Sequence, residues 1–437
     1  MSTLPHLVHA LRTVRTTLAD QAAQTSGFVQ RQSKLTGALF VQTLVFGWLA
    51  NAQATLEELS QTAATRGLVI TPQGLEQRFT ERAATCLQQV LQIAVTHLLH
   101  TTPVAVPLLQ RFNGVSVLDS STIVLPDVLA SIWPGCGGRT GVNTRAALKA
   151  QVQLDLCTGA LCGLELQAGR SHDSTTPLQT VPLPEGALRL TDLGYFDLDV
   201  LATLGTTGVF WLSRLHLQTR RYDATGQPVD LLTLVTNTEQ PTLDLPITLG
   251  ATQRMPARLL ARRVPQEVAD QRRRRLRREA RDKGRTVTKR TLALAAWTFV
   301  VTNVPGDRLT VEEARVLLRA RWQIELVFKL WKSHGRIDES RSGKPWRVLC
   351  DVYATLLAMV VQHWVLLASC WQYPDRSLRK AAQTVQKHAL HLASAFQTHT
   401  ALEAALTIIQ RCLASGCRIN KRKHMPHTYQ LLLAHQA

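Results

Sequence analysis

The chain contains no CxxC pair, no GxxxxGK loop and no uninterrupted apolar span of membrane length, and it is short of acids: 31 Asp and Glu against 50 Lys and Arg. Each shortage excludes a class of protein. Eight cysteines stand at 86, 136, 157, 162, 350, 370, 412 and 417. The one zinc-like grouping, Cys412 and Cys417 followed by His424 and His427, is irregularly spaced, and the thiols read better as buried or incidental. Without a phosphate-cradling glycine loop, ATP-driven chemistry is not expected. The most apolar stretch, residues 352–370, carries Gln362 and His363 in its middle and reads as a buried core helix rather than a membrane span. The opening MSTLPHLVHALRTVRTT lacks the continuous apolar region of a signal peptide, so a cytoplasmic location with reduced cysteines is expected.

What is present is length, apolar content and positive charge. A chain of 437 residues, 45% hydrophobic, can form several packed units. A formal charge of +19 exceeds what solvation requires and predicts attraction to a polyanion, nucleic acid before an anionic membrane. The excess is steepest around QRRRRLRREARDKGR, where residues 250–290 hold 15 Lys or Arg against 4 Asp or Glu. Arg272, Arg273, Arg274 and Arg275 lead that run as candidate phosphate contacts, although a solvated helix face is the common fate of such charge.

Periodicity divides the chain. Residues 1–105 read as helical, and ATLEELSQTAATRGLVITPQGLEQRFTERA is compatible either with a helix-turn-helix presenting Gln73, Glu76, Gln77 and Arg78 or with a hairpin that merely packs. Short β runs follow at 115–118, 148–156 and 161–167, with a fourth strand ending at Asp192 and a fifth over 208–215. Between Asp192 and Glu325 lie 132 residues, too many for one crossover, so a mostly β insertion is expected. A strand over 292–302 then precedes a helix over VEEARVLLRARWQIELVFKLWKS, capped by Thr310.

Three acids carry the chemistry of interest. Asp119 follows an apolar run in GVSVLDSST, Asp192 closes ALRLTD, and Glu325 lies in the amphipathic helix. Three carboxylates are hard oxygen donors that can hold two divalent ions and leave positions open for water and phosphate. Each acid alone is more often a turn or cap residue. Arg321, Glu325 and Lys332, with Lys329 beside them, fall on one helical face amid apolar neighbours, which implies a buried polar stripe in need of partners. Lys149 and Arg214, near strand ends, are candidate backbone-phosphate contacts, with Arg145 more readily ordinary surface charge. Asp155 and the His172–Asp173 pair rank below the triad.

With LDSST, then DLGYF as D-x-G-x-F, then Glu325 flanked by Arg321 and Lys332, the chain resembles bacterial insertion-sequence transposases of the DDE superfamily, in the branch marked by a Tyr-Arg-Glu-Lys signature. Leu318 stands where that signature has Tyr. The resemblance implies an α/β (α+β) protein: an RNase H-like catalytic core over 106–207 and 303–370, a β-rich insertion with the arginine segment over 208–302, a helical DNA-binding region over 1–105 and a helical C-terminal region over 371–437. It implies Asp119, Asp192 and Glu325 as catalytic metal ligands for Mg²⁺, with Mn²⁺ as a substitute. It implies Trp297 as the base-stacking Trp of the strand before the signature helix. Transposon-end DNA, target DNA and a second copy of the chain are the implied partners, in a nucleoid-associated cytoplasmic protein. The implied reaction is end cleavage followed by 3′-hydroxyl attack on target DNA, through a hairpin at the transposon end. The rivals are a nuclease of the same fold that never joins, and a DNA-binding protein derived from a transposase without catalysis.

Overall fold

The computed structural model describes residues 3–97, 103–136, 145–340, 342–373, 375–420 and 427–434. His424 of the zinc-like grouping lies outside them. In chain order the elements begin with α1 (Thr3–Arg15), α2 (Thr17–Thr25), α3 (Gly37–Ala50), α4 (Leu56–Ala64), α5 (Pro72–Glu76), α6 (Glu81–Thr96) and α7 (Pro107–Gln110). Next come β1 (Val115–Leu125), β2 (Ala146–Asp155), β3 (Leu161–Ala168), β4 (Leu188–Thr191), α8 (Leu198–Thr206), β5 (Phe210–Arg214), β6 (Arg221–Tyr222) and α9 (Leu231–Thr236). Then follow β7 (Thr242–Leu249), β8 (Met255–Arg263), α10 (Gln266–Asp282), α11 (Lys289–Leu294), β9 (Trp297–Thr302) and α12 (Val311–Ala320). The last are α13 (Gln323–Ser333), α14 (Pro345–Ser369), α15 (Leu378–Lys387), α16 (Ala389–Ala395), α17 (His399–Ser415) and α18 (Thr428–Ala434).

These elements form two compact units. The first holds Met1–Ala105, Asp119–Leu178 and Trp322–Tyr429; the second holds Val106–Leu118, Gln179–Arg321 and Gln430–Ala437. The helical 1–105 segment therefore shares a unit with α13 to α17.

In the first unit α14 is the central helix. Pro345 starts it, where a missing N–H is harmless, and apolar residues on every side bury it among α1, α3, α6, α15 and α17. Its most apolar window of 18 residues, of mean hydropathy 1.6, and its 25-residue length would suit a membrane span, yet 94% of that window is buried inside the protein. The polar pair expected mid-helix is satisfied there: Gln362 donates to the Ala382 carbonyl at 3.2 Å and His363 bonds the Gly159 carbonyl at 2.7 Å. Burial lowers the His363 pKa to about 4, with the Gly159 bond opposing the shift. At the other end of α14, buried Arg347 pairs with Asp351 at 3.0 Å and with Glu76 at 2.6 Å. Helix α5, in the segment that reads either as a helix-turn-helix or as a packed hairpin, is five residues long, and its Glu76 is held by Arg347 and Lys344. The β2-β3 hairpin of this unit is antiparallel, pairing Leu148 with Ala168 through Gln153 with Gly163, and β2 borders β1 on its other side.

The second unit is built on a mixed sheet in the order β1-β4-β5-β9-β8-β7-β6. Strands β1, β4 and β5 are parallel, and β9, β8, β7 and β6 continue antiparallel. Parallel neighbours need covered faces, and these strands are correspondingly apolar: LRLT of β4 is buried throughout. A core of Trp211, Leu215, Leu249, Leu259, Ala261, Phe299 and Val301 lies along the insertion strands. The overall arrangement is the expected α/β one, a mixed sheet with helices.

Three local expectations are corrected. The first strand does not stop before Asp119 but continues through DSSTIVL, where Ser and Thr blur the apolar alternation while β-branched residues favour extension. Residues 292–294 finish helix α11 rather than open a strand, because LALAA is helix-prone and β-branched residues begin only after Trp297. The long signature helix is two helices, interrupted at Arg321 and Trp322. Thr310 caps α12 as expected, in a reciprocal box with Glu313.

Candidate active site and nucleic-acid interface

In the first unit Asp119 sits within β1, half-buried, its Oδ1 accepting from the Ser120 N–H at 2.8 Å. Glu325 lies half-buried in the first turn of α13, where the helix dipole favours a carboxylate. Lys332, seven residues on and on the same face, donates from Nζ to the Thr122 carbonyl of β1 at 2.9 Å. That bond fastens α13 to β1. Ile324, Val327, Phe328, Leu330 and Trp331 are buried as expected, but Trp322 is 47% exposed, with the Lys329 ammonium 3.9 Å from its ring centre.

In the second unit Asp192 follows β4 immediately, so the strand's parallel end sets its position. Arg321 reaches it with Nη2 at 3.7 Å from Oδ1. Arg321 is the C-cap of α12, and α13 begins after it at Gln323. Among the described residues no three His, Cys, Asp or Glu side chains are close-set enough to hold a metal ion.

The basic candidates separate by contact. Lys149 is largely buried, donating to the Ser171 carbonyl at 2.6 Å and to Asp173 at 2.9 Å, so its ammonium is engaged inside the protein rather than offered to phosphate. Arg145 is exposed beside β2, and Asp155 is occupied by its own turn, accepting from Thr158. Arg214 is exposed at the end of β5. Trp297 is a core residue, 5% exposed, with the Arg263 guanidinium 5.1 Å from its ring centre, so it is packed rather than presented to a base.

The arginine run forms α10. Arg272 bonds the Trp297 carbonyl and Thr298 hydroxyl at 3.0 Å, and burial, then the nearby charge of Arg214, lower its pKa. Arg273 bonds the Leu292 carbonyl and Asp270. These two anchor the helix. Arg275 pairs with Glu279 at 2.6 Å but is 74% exposed. Arg274, Arg277, Arg278 and Arg281, spaced by three and four residues, make one exposed stripe of like charge. Part of it lines an open cleft of about 660 Å³ with Asp270, Leu292 and Ala293.

Sequence reasoning undervalued Asp173, which collects donors from residues 24 and 53 positions away. The only local signal was a carboxylate in the turn after β3. The Arg111–Glu313 pair at 2.8 Å, which ties the region before β1 to α12, had no signal at all.

A family profile described as "Transposase DDE domain" matches residues 110–361, more than half of the chain and a span that includes Asp119, Asp192 and Glu325. The chain belongs to the DDE transposases. The transposase is 25% identical over 463 residues to the transposase of insertion sequence element IS231F from Bacillus thuringiensis subsp. israelensis, covering 98% of this chain and 94% of that one. It is 28% identical over 446 residues to the IS231D transposase of Bacillus thuringiensis subsp. finitimus, covering 94% and 90%. The IS1151 transposase of Clostridium perfringens is 25% identical over 375 residues, covering 80% and 78%. Among solved structures, a chain of a piggyBac transposase synaptic complex with hairpin DNA aligns with a TM-score of 0.46 at 8% identity, covering 96% of this chain and 86% of that one. Membership of the family implies nuclease and transesterification chemistry on DNA, for which divalent metal ions are generally required.

Proposed function

We propose that the transposase cuts the ends of an insertion sequence and joins the exposed 3′-hydroxyls to target DNA, with Asp119, Asp192 and Glu325 as its catalytic carboxylates. The observation that carries this is the placement of all three within the family-matched span, two of them on elements bonded to each other. From the Lys332–Thr122 bond, two helical turns lead back to Glu325 and three strand residues lead back to Asp119, roughly 10 Å in each case. The donor set, carboxylate oxygens only, fits Mg²⁺ or Mn²⁺ and not a softer metal. Bound by these three residues, the ions would activate a water or hydroxyl nucleophile and stabilise the leaving oxygen.

The protein's own groups do the rest. Arg321 keeps Asp192 oriented and adds positive charge where phosphate approaches. Lys332 retains two N–H groups beyond the one given to Thr122, and Lys329 stands exposed beside it. The exposed stripe of α10, with Arg275 and Arg214, holds the duplex. Four like charges on one helix face repel each other in the free protein and are relieved by phosphate. The Tyr-Arg-Glu-Lys assignment, with Leu318 in place of Tyr, the hairpin intermediate and the paired-copy assembly belong to the same proposal.

Supplying end DNA already cut to 3′-hydroxyls separates joining from cutting. In Mg²⁺ the transposase should insert such ends into a plasmid; hydrolysis of intact ends without any insertion of cut ones would make it a nuclease. For α10, replacing Arg277, Arg278 and Arg281 by Gln should weaken binding to every DNA sequence and reduce the slope of log affinity against log salt by about 1 per arginine. Fluorescence anisotropy across a salt series measures it. Unchanged slope removes α10 from the interface.

A further inference from the structure

Asp173 opens a short 3-10 turn, Asp173–Thr175, after β3. Its Oδ1 accepts from Ser120 Oγ at 2.9 Å, from Lys149 Nζ at 2.9 Å and from Gln151 Nε2 at 3.3 Å. Lys149 and Gln151 are two residues apart on β2 and so face the same side of the sheet. Ser120 is on β1, one residue past Asp119, so its side chain points to the face opposite the Asp119 carboxylate. Its backbone N–H is also the group that donates to Asp119 Oδ1, at 2.8 Å. A continuous run of hydrogen bonds thus leads from Lys149 through Asp173 and Ser120 to the first catalytic carboxylate.

The strand needs such support at this point. Val115 to Leu118 are buried, whereas Asp119, Ser120 and Ser121 are half-buried and Thr122 is exposed. Apolar packing anchors the first half of β1 and gives way where Asp119 begins. The ammonium of Lys149, its side chain only 13% exposed, requires a counter-charge, and Asp173 supplies it with charge-assisted bonds that are stronger than neutral ones.

We infer that Asp173, charged and paired with Lys149, is a positioning residue that clamps β1 from behind and fixes the Asp119 carboxylate for metal binding without touching substrate. This inference rests on the catalytic role proposed for Asp119. Loss of such an outer-shell partner typically lowers metal affinity or activity by about ten- to a hundredfold.

The test uses the full-length protein bound to end DNA, with Asp173→Asn, Ser120→Ala and the two combined. Mn²⁺ affinity is read by the electron paramagnetic resonance signal of free Mn²⁺, and single-turnover end cleavage is followed against Mg²⁺ concentration. Asp173→Asn should weaken Mn²⁺ binding and raise the Mg²⁺ requirement by about tenfold or more, while end binding in EDTA is retained. Because Asp173 acts through Ser120, the combined variant should be no worse than Asp173→Asn alone. Values within twofold of the parent, or losses that multiply in the combination, overturn the inference. If Asp173→Asn melts early because Lys149 is left uncompensated, Lys149→Gln with Asp173→Asn should restore stability but not Mn²⁺ affinity; recovery of both would reduce the clamp to a folding role. Asp119→Ala that still cleaves would overturn the proposed function itself, whereas an inactive Asp119→Ala beside a normal Asp173→Asn overturns only the clamp.

Discussion

Asp119→Ala should lower the rate of end cleavage by roughly a thousandfold or more while leaving end binding intact. A ligand carboxylate contributes several kcal/mol to stabilising charge in the transition state, and each ~1.4 kcal/mol is a factor of ten in rate. Asp119 is half-buried, and its Oδ1 accepts from the next residue's N–H. Removing a negative charge from a surface that faces phosphate should, if anything, tighten binding in EDTA. Cleavage and binding are measured on the same labelled end DNA, with thermal melting as the control for folding. Cleavage at the parental rate would remove Asp119 from the chemistry, and joint loss of binding and stability would make it a structural residue. Asp192→Asn and Glu325→Gln should behave in the same way.

The largest effect on stability is expected at Arg347→Ala. The guanidinium is buried between Asp351 at 3.0 Å and Glu76 at 2.6 Å and lies 4.1 Å over the Phe79 ring. The substitution leaves Asp351, itself 6% exposed, charged in the interior without its guanidinium. Breaking a buried pair from one side typically costs about 3–5 kcal/mol, which for a unit of this size lowers Tm by about 10 °C. The loss also detaches α5 from α14, so the helices before α6 should become protease-sensitive first. Replacing Arg347 by Met together with Asp351 by Leu should recover much of the stability, because no unpaired charge then remains. A shift in Tm of only a degree or two for Arg347→Ala would show that water already screens the network.

How far the sequence revealed this protein depends on the range of the interactions involved. Asp119, Asp192 and Glu325 stand out in the sequence as candidates because each sits in a short motif, and the Thr310 cap was legible because a cap announces itself within four residues. The course of β1 beyond Asp119 was hidden by DSST, whose polarity imitates a turn. The interruption at Arg321 and Trp322 has no glycine or proline to mark it, so a single helix was the natural expectation. The arginine run was legible as charge but not as roles, since Arg272 and Arg273 anchor α10 through carbonyls 19 to 25 residues away. Burial decides between a stacking Trp and a core Trp at 297, and neither periodicity nor motif contains that information. Asp173 was undervalued for the same reason: its three donors come from β1 and β2, and only the folded sheet brings them together.

The central claim is that three carboxylates remote in sequence share one metal site when DNA is bound. Iron-directed scission tests it most directly: Mg²⁺ in the end-DNA complex is replaced by Fe²⁺, hydroxyl radicals are generated with ascorbate and peroxide, and the backbone cuts are mapped by mass spectrometry. Cuts clustered around residues 119, 192 and 325 together, competed away by Mg²⁺ and absent in Asp119→Ala, are the expected result. Cuts near only one or two of these positions, or at sites unrelated to them, would contradict it.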